Sequence, residues 1–246
     1  ALIGIPYSYI SPLAYIKTNV EGTYNILEAS KINQVPNIVI TSTSEVYGTA
    51  QYTPIDEEHP KVGQSPYSAS KIAADQIALS YSKSFNLPIK IIRPFNTFGP
   101  RQSLRAIIPT IISQALSGIT KISLGTTSTT RDFTFVSDTC NGFIEVMKSD
   151  RLFGKEVNLG MNEEISVENL VKLIGKLAKI DLTIEEDKQR IRPKGSEVER
   201  LRCNNEKIIK STKWKPKFTL EKGLKRTIEW FSDKNTNSFK TDKYLV

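Results

Sequence analysis

Residues 37–42 and 89–94 are short runs rich in β-branched residues, with apolar Ile38-Val-Ile40 in the first and Ile89, Ile91 and Ile92 in the second, as in strands buried on both faces. Each follows a proline, Pro36 or Pro88, and each is preceded by a stretch with helical spacing. Over residues 12–30 the repeating positions are Tyr15, Val20, Thr23, Ile26 and Leu27. Over 67–84 they are Ala69, Ile72, Ala73, Ile77, Leu79 and Tyr81. Helix, strand, helix, strand with apolar strands predicts an α/β fold built on a doubly wound parallel sheet. Ligands of such sheets sit beyond the carboxyl ends of the strands, here residues 41–48 and 94–101. Beyond residue 101 the pattern shortens: a one-faced helix over 105–116, then strands over 122–124 and 133–136. A helix capped by Ser137 or Asp138 should reach Met147, and one capped by Ser166 should reach Ala178. Asn204 and Thr219 read as further caps, the latter opening a helix over 220–231. The chain thus divides into a sheet core, residues 1–100 with 137–160 returning to it, and a smaller α/β unit, 101–136 and 161–231. A polar tail is expected over 232–246.

The 246 residues are 39% hydrophobic and 24% charged, which excludes a disordered or fibrous chain. No apolar run approaches the ~20 residues of a membrane helix, so no membrane partner is expected. The net charge of +8 is confined to residues 186–226, where 14 Lys and Arg face 6 Asp and Glu. That stretch mixes both signs and has few aromatics, unlike a nucleic-acid stacking groove. A solvated face with an anionic small-molecule site fits it better, and no nucleic-acid partner is expected. Cys140 and Cys203 are far apart, as in a reduced, cytoplasmic protein. The one histidine, His59, excludes a multi-histidine metal site and reads as a surface residue; no metal is expected.

The strongest chemical pattern is Tyr67-Ser-Ala-Ser-Lys71. On a helix the first and fifth positions share a face, and a nearby ammonium lowers a phenol's pKa, making tyrosine a usable base. Upstream, at the end of a predicted strand, Thr41-Ser-Thr-Ser-Glu-Val-Tyr-Gly48 supplies hydroxyls and a carboxylate. The lesser alternatives are a solvated loop acid for Glu45 and a surface ion pair for Arg131.

The segments Ser42-Thr-Ser-Glu-Val-Tyr-Gly48, Ser65-Pro-Tyr-Ser-Ala-Ser-Lys71 and Arg93-Pro-Phe-Asn-Thr-Phe-Gly-Pro-Arg-Gln102 resemble the extended short-chain dehydrogenase/reductases of the NAD-dependent epimerase/dehydratase family. So do Tyr15-Ile-Lys-Thr-Asn-Val-Glu-Gly22, Arg131-Asp-Phe-Thr-Phe-Val136 and Arg192-Pro-Lys-Gly-Ser-Glu-Val198. The resemblance is nearest to the nucleotide-sugar 4,6-dehydratases of the GDP-mannose and N-acetylglucosamine-nucleotide type. It implies a Rossmann-like NAD-binding core and a nucleotide-sugar-binding unit. It further implies catalytic roles for Tyr67, Lys71, Thr43, Glu45 and Ser44: Tyr67 as base at sugar carbon 4, Thr43 on the 4-oxygen, Glu45 as base at carbon 5. Ser44 stands where the dTDP-glucose enzymes carry an aspartate acid. NAD would be held by Tyr67, Lys71, Ser42, Pro94 and Asn96. The nucleotide-diphosphate sugar would be held by Tyr7, Ser8, Asn96, Arg101, Arg131, Arg192 and Glu197. Asn19 matches a structural or proton-relay asparagine. A homodimer through residues 12–30 and 67–84 is also implied.

Members of this family open with a Gly-x-x-Gly-x-x-Gly loop that seats the cofactor pyrophosphate on a helix N-terminus. The 13 glycines here contain no such triplet, so the sheet is expected to be N-terminally incomplete and the chain alone to bind NAD weakly. A UDP-glucuronate decarboxylase and a nucleotide-sugar 4-epimerase share many of these residues. Glu45 argues against the epimerase, which needs no base at carbon 5. A non-catalytic nucleotide-sugar-binding remnant is the reading from a different class.

Overall fold

The computed structural model describes residues 1–233; the expected polar tail lies, from residue 234 on, outside them. The strands are β1 (Ile38–Thr41), β2 (Ile89–Pro94), β3 (Asn96–Phe98), β4 (Lys121–Leu124), β5 (Thr130–Arg131), β6 (Phe133–Phe135), β7 (Lys155–Leu159), β8 (Ile165–Ser166) and β9 (Thr183–Glu186). A parallel sheet runs β1-β2-β7, and the alternation of its side chains explains its apolar sequence. On one face Ile38, Ile40, Ile89 and Ile91 pack on Leu27 of the helix Gly22–Ile32 and on Ala78 of the helix Pro66–Phe85. On the other, Ile92, Val157 and Leu159 pack on Val146 of the helix Val136–Lys148 and on Ile208 and Trp214. Both faces are covered, as a doubly wound sheet requires.

A separate hydrophobic core gathers Phe98, Ile111, Phe135, Leu170, Ile174, Leu224 and Phe231. Short strand pairs frame it, β3 with β6 and β4 with β9 in parallel, β5 with β8 antiparallel. The chain returns to the first sheet through the helix Val136–Lys148, which crosses β7 closely at Gly142. A Cβ there would lie 1.9 Å from Leu159 Cδ1 and 3.3 Å from Trp214 Nε1. Gly142→Ala gains about 1 kcal/mol of helix propensity and loses about 1–3 kcal/mol to overpacking. The expected net is a lower urea midpoint at unchanged m-value.

Several local expectations change. Residues 7–9, which precede the first expected helix, lie in a helix of their own, Ile5–Ile10, with Pro6 in its first turn. The helical stretch beginning at Pro12 contains a π-helical segment, Ile16–Glu21. Asp138 does not cap its helix. Its carboxylate instead accepts the backbone N–H groups of Lys217 and Phe218, each at 2.9 Å. Asn205, not Asn204, is the N-cap of the helix Glu206–Ser211, although Asn204 Oδ1 accepts Glu206 N at 2.9 Å. His59 is interior rather than on the surface, 2% exposed between Tyr47 and Tyr52. Its Nε2 accepts Gln51 N–H at 2.9 Å, and its Nδ1 lies 2.8 Å from the Pro60 carbonyl, which fixes a neutral tautomer.

Candidate active site

At its carboxyl end β1 turns into a 3-10 helix, Ser44–Tyr47, started by the Thr43 hydroxyl accepting Glu45 N–H at 3.2 Å. Across from this turn stands the helix Pro66–Phe85, opened by a reciprocal Ser65–Ser68 capping box with Pro66 in its first turn. The cap sets the phase of the helix, so Tyr67, Lys71 and Asp75, four residues apart, form one buried stripe facing the strand end. Lys71 Nζ donates to the Thr41 carbonyl at 2.6 Å. Ser42 Oγ donates to Asp75 Oδ2 at 2.7 Å. The Tyr67 phenol meets the Thr43 side chain, and its ring packs edge-on against Tyr15.

Burial pushes the Tyr67 phenol up to about 12. Thr43 opposes this, whereas the charges of Glu45, Tyr15 and Asp75 act in the same direction. The net direction is upward, against the expectation of a phenol lowered by Lys71, because burial outweighs the groups that favour ionisation. Burial likewise lowers the Lys71 pKa, with Asp75 opposing.

Glu45, half-buried, faces both Tyr67 and Arg131 and acts on the titration of each. Arg131, buried at the end of β5, donates from Nη1 to its neighbour's carbonyl, Thr130 O, at 2.8 Å. Its Nη2 lies 3.4 Å from Glu197 Oε1, and Arg192 Nη1 lies 3.5 Å from the same oxygen. Two guanidiniums therefore share one carboxylate. Asn96 opens β3, donating its backbone N–H to Asp132 O at 3.0 Å, while its Oδ1 is buried without a hydrogen-bond partner.

The structure thus brings Thr43, Glu45 and Tyr67 together, and Arg131, Arg192 and Glu197 together. Ser44 is buried beside Glu45, and Pro94 ends β2. Ser8 is fully buried and donates its hydroxyl to Ile5 O at 2.7 Å, while Tyr7, Tyr9 and Ile10 are the exposed residues of that helix. Arg101 stands exposed in a left-handed turn with φ 66°. Asn19 is turned inward by the π-helical segment. It donates to Ser70 Oγ at 2.9 Å and to Leu2 O at 3.0 Å, and accepts Leu2 N–H at 2.8 Å.

Two buried acids escaped the reading of the sequence. Asp132 accepts Met161 N–H at 2.8 Å and Cys203 N–H at 3.1 Å, anchoring the strand next to Arg131; burial pushes it up to about 7. Its only signal was adjacency to Arg131. Asp75 had one too: it continues the four-residue spacing of Tyr67 and Lys71.

The sequence model of the family described as GDP-mannose 4,6 dehydratase matches residues 1–227. The dTDP-D-glucose 4,6-dehydratase of Bos taurus is 30% identical over 244 residues, covering 98% of this chain and 68% of its own length. The dTDP-glucose 4,6-dehydratase of Bacillus anthracis, solved with NAD, is 32% identical with a TM-score of 0.82, over 91% of this chain and 70% of that one. The dTDP-glucose 4,6-dehydratase of Streptomyces venezuelae, solved with NAD and TYD bound, is 26% identical with a TM-score of 0.89, over 99% and 74%. These likenesses extend over nearly the whole chain and so do not rest on one shared motif. The chain belongs to the GDP-mannose 4,6 dehydratase family.

Proposed function

We propose that this protein is an NAD-dependent nucleotide-sugar 4,6-dehydratase. The observation that carries the reading is the convergence of a phenol, a hydroxyl and a carboxylate, Tyr67, Thr43 and Glu45, at one strand end facing a buried arginine. The residues present fit the nicotinamide end of NAD. Lys71 spends one of its three N–H donors on Thr41, and Asn96 keeps a buried oxygen without a partner. Tyr67, Lys71, Ser42, Pro94 and Asn96 would hold it. When bound, NAD supplies oxidation at sugar carbon 4 and returns the hydride at carbon 6.

Tyr67 takes the proton of the carbon-4 hydroxyl, and Thr43 hydrogen-bonds the 4-oxygen. The resulting ketone acidifies the carbon-5 proton, which Glu45 accepts. Ser44 is assigned to the carbon-6 end, where a hydroxyl can relay a proton but does not supply one at neutral pH. Glu45, once it holds the carbon-5 proton, is the acid at hand for the departing water, and the proton that Tyr67 took from the carbon-4 hydroxyl returns to carbon 5 by way of Glu45 as carbon 6 is reduced. The product is a 4-keto-6-deoxy sugar with no net change in oxidation state.

Arg131 and Arg192 clamp the diphosphate, Glu197 holds the nucleotide ribose, and Tyr7 and Arg101 complete the sugar-nucleotide contacts. A charge-assisted hydrogen bond is worth about 1.5–3 kcal/mol. Arg131→Met is therefore expected to weaken nucleoside diphosphate binding about 10- to 100-fold, read by titration calorimetry. Residues 1–100 with 137–160 serve the cofactor, and residues 101–136 with 161–231 serve the nucleotide sugar. A homodimer through residues 12–30 and 67–84 is supported by exposed Leu13, Ile16 and Tyr24 on the first stretch. A cytoplasmic setting is supported by two free cysteines. Among the described residues no helix is long and apolar enough to cross a membrane.

The test is product mass after incubating the protein with NAD and a panel of nucleotide sugars. Loss of one water supports dehydration. Loss of carbon dioxide would make it a decarboxylase, and a change of configuration at constant mass an epimerase. Tight binding of the nucleotide sugar with no product would make it a binding protein.

A further inference from the structure

Asp75 and Arg93 have no exposed side-chain surface. Oδ2 of Asp75 accepts three hydrogen bonds: Ser42 Oγ at 2.7 Å, Arg93 Nη2 at 3.0 Å and Arg93 Nε at 3.2 Å. Its Oδ1 is buried without a hydrogen-bond partner, one helical turn from Lys71. Arg93, from the middle strand β2, continues the network, donating to Tyr47 Oη at 2.9 Å and to the Glu156 carboxylate on β7, which Lys61 also reaches at 2.7 Å. An ion pair serving the fold alone would need only Arg93 and its carboxylates. What this network adds is Ser42. That residue lies between Thr41, which Lys71 holds by its carbonyl, and Thr43, which meets the phenol of Tyr67.

We propose that Asp75 is a positioning residue for the reaction, acting through Ser42 to fix the end of β1 so that Thr43 and Tyr67 stay aligned on the same substrate oxygen. This rests on the dehydratase reading for its kinetic consequence, not for its geometry. The pinned residues are consecutive, so backbone rotation at Ser42 would move the Thr43 hydroxyl and the Thr41 carbonyl together. Arg93 braces the carboxylate from the neighbouring strand and pulls its pKa down against the effect of burial. Glu156 and Lys61 extend the brace away from the strand end, and they make no contact with Ser42, Thr43 or Tyr67 among the described hydrogen bonds.

The experiment is a double-mutant cycle between Asp75→Asn and Ser42→Ala, with Glu156→Gln as the control that loosens Arg93 from its far end. Two readouts are taken: kcat and KM on the nucleotide sugar turned over, and amide hydrogen exchange of the segment 41–45. In the cycle kcat is expected to fall about 10- to 100-fold in each single variant, with KM within about twofold, and the double is expected to fall no further. Exchange at 41–45 speeds up in the same non-additive way, and Glu156→Gln stays near wild type in both readouts. Multiplying losses in the double variant, or an equal loss in Glu156→Gln, would overturn the proposal. If Asp75→Asn does not fold, Ser42→Ala decides, since it leaves the Asp75–Arg93 pair intact: unchanged kcat and exchange sink the idea. If the wild-type protein turns over no nucleotide sugar, the dehydratase reading fails. The exchange data then still judge the clasp, non-additivity supporting it and additivity overturning it.

Discussion

Phenylalanine at Tyr67 removes turnover on the order of 1,000-fold while leaving the fold and nucleotide-sugar affinity in place. Positioned proton transfer contributes about 10²- to 10⁴-fold, and the phenol oxygen is the group that would accept the carbon-4 proton. The variant keeps the ring and its edge contact with Tyr15, and it removes one oxygen that meets Thr43. A buried phenol pushed up to about 12 is a poor base near neutrality. The wild-type rate should therefore climb with pH through the neutral range as more of Tyr67 ionises. In Tyr67→Phe the residual rate should lose that dependence. A variant with more than a tenth of wild-type kcat would remove Tyr67 from the role of base.

The largest loss of stability is expected from Arg93→Leu. The wild-type guanidinium has no exposed surface and serves Asp75, Glu156 and Tyr47 together. Leucine fills part of the volume but leaves the Asp75 and Glu156 carboxylates facing each other in the interior. Breaking a buried pair from one side costs about 3–5 kcal/mol, because the surviving charge loses its partner. That is a large fraction of the 5–15 kcal/mol by which domains are stable. Denaturant unfolding reads it directly. The burial of Asp75 already raises its pKa against the pull of Arg93, so removing Arg93 raises it further. An acid whose folded pKa lies above its unfolded value gives stability at low pH and loses it as pH rises through that value. The deficit of Arg93→Leu should accordingly be smallest in acid and grow toward neutral pH. A deficit that stayed flat across this range would show that the vacated volume, rather than the stranded charge, dominates.

The legible parts of this molecule are those whose information is local. The strands β1 and β2 could be read because burial on both faces favours β-branched residues, Ile38-Val-Ile40 in one and Ile89, Ile91 and Ile92 in the other. The Tyr67–Lys71 pair could be read because four residues make nearly one helical turn. Ser166 capping its helix is equally local. What stayed hidden depends on partners distant in sequence. Asp138 has the position of a helix cap, yet two backbone N–H groups near residue 217 compete for its carboxylate and win. His59 sits among charges that read as surface, and only the fold brings Tyr47 over it. Asp75 looks like the polar side of a helix until Arg93 arrives from β2. The direction of the Tyr67 shift is hidden for the same reason. The spacing places an ammonium near the phenol but carries no information on burial, which sets the direction. Strands as short as β5 and β8 have no period to detect.

The order of strands β1-β2-β7 also bears on how the chain folds as it is synthesised. Asp75 leaves the ribosome first and Arg93 soon after, but the Glu156 carboxylate is 63 residues behind Arg93. In that interval the chain makes β3 to β6 and the helix Val136–Lys148, while β2 waits with one edge unpaired. Pairings between distant segments form slowly, and open strand edges invite association with other chains. The Asp75–Arg93 pair, available early, keeps the guanidinium from being stranded during the delay. The centre of the sheet can then hold its shape before its last strand has been made.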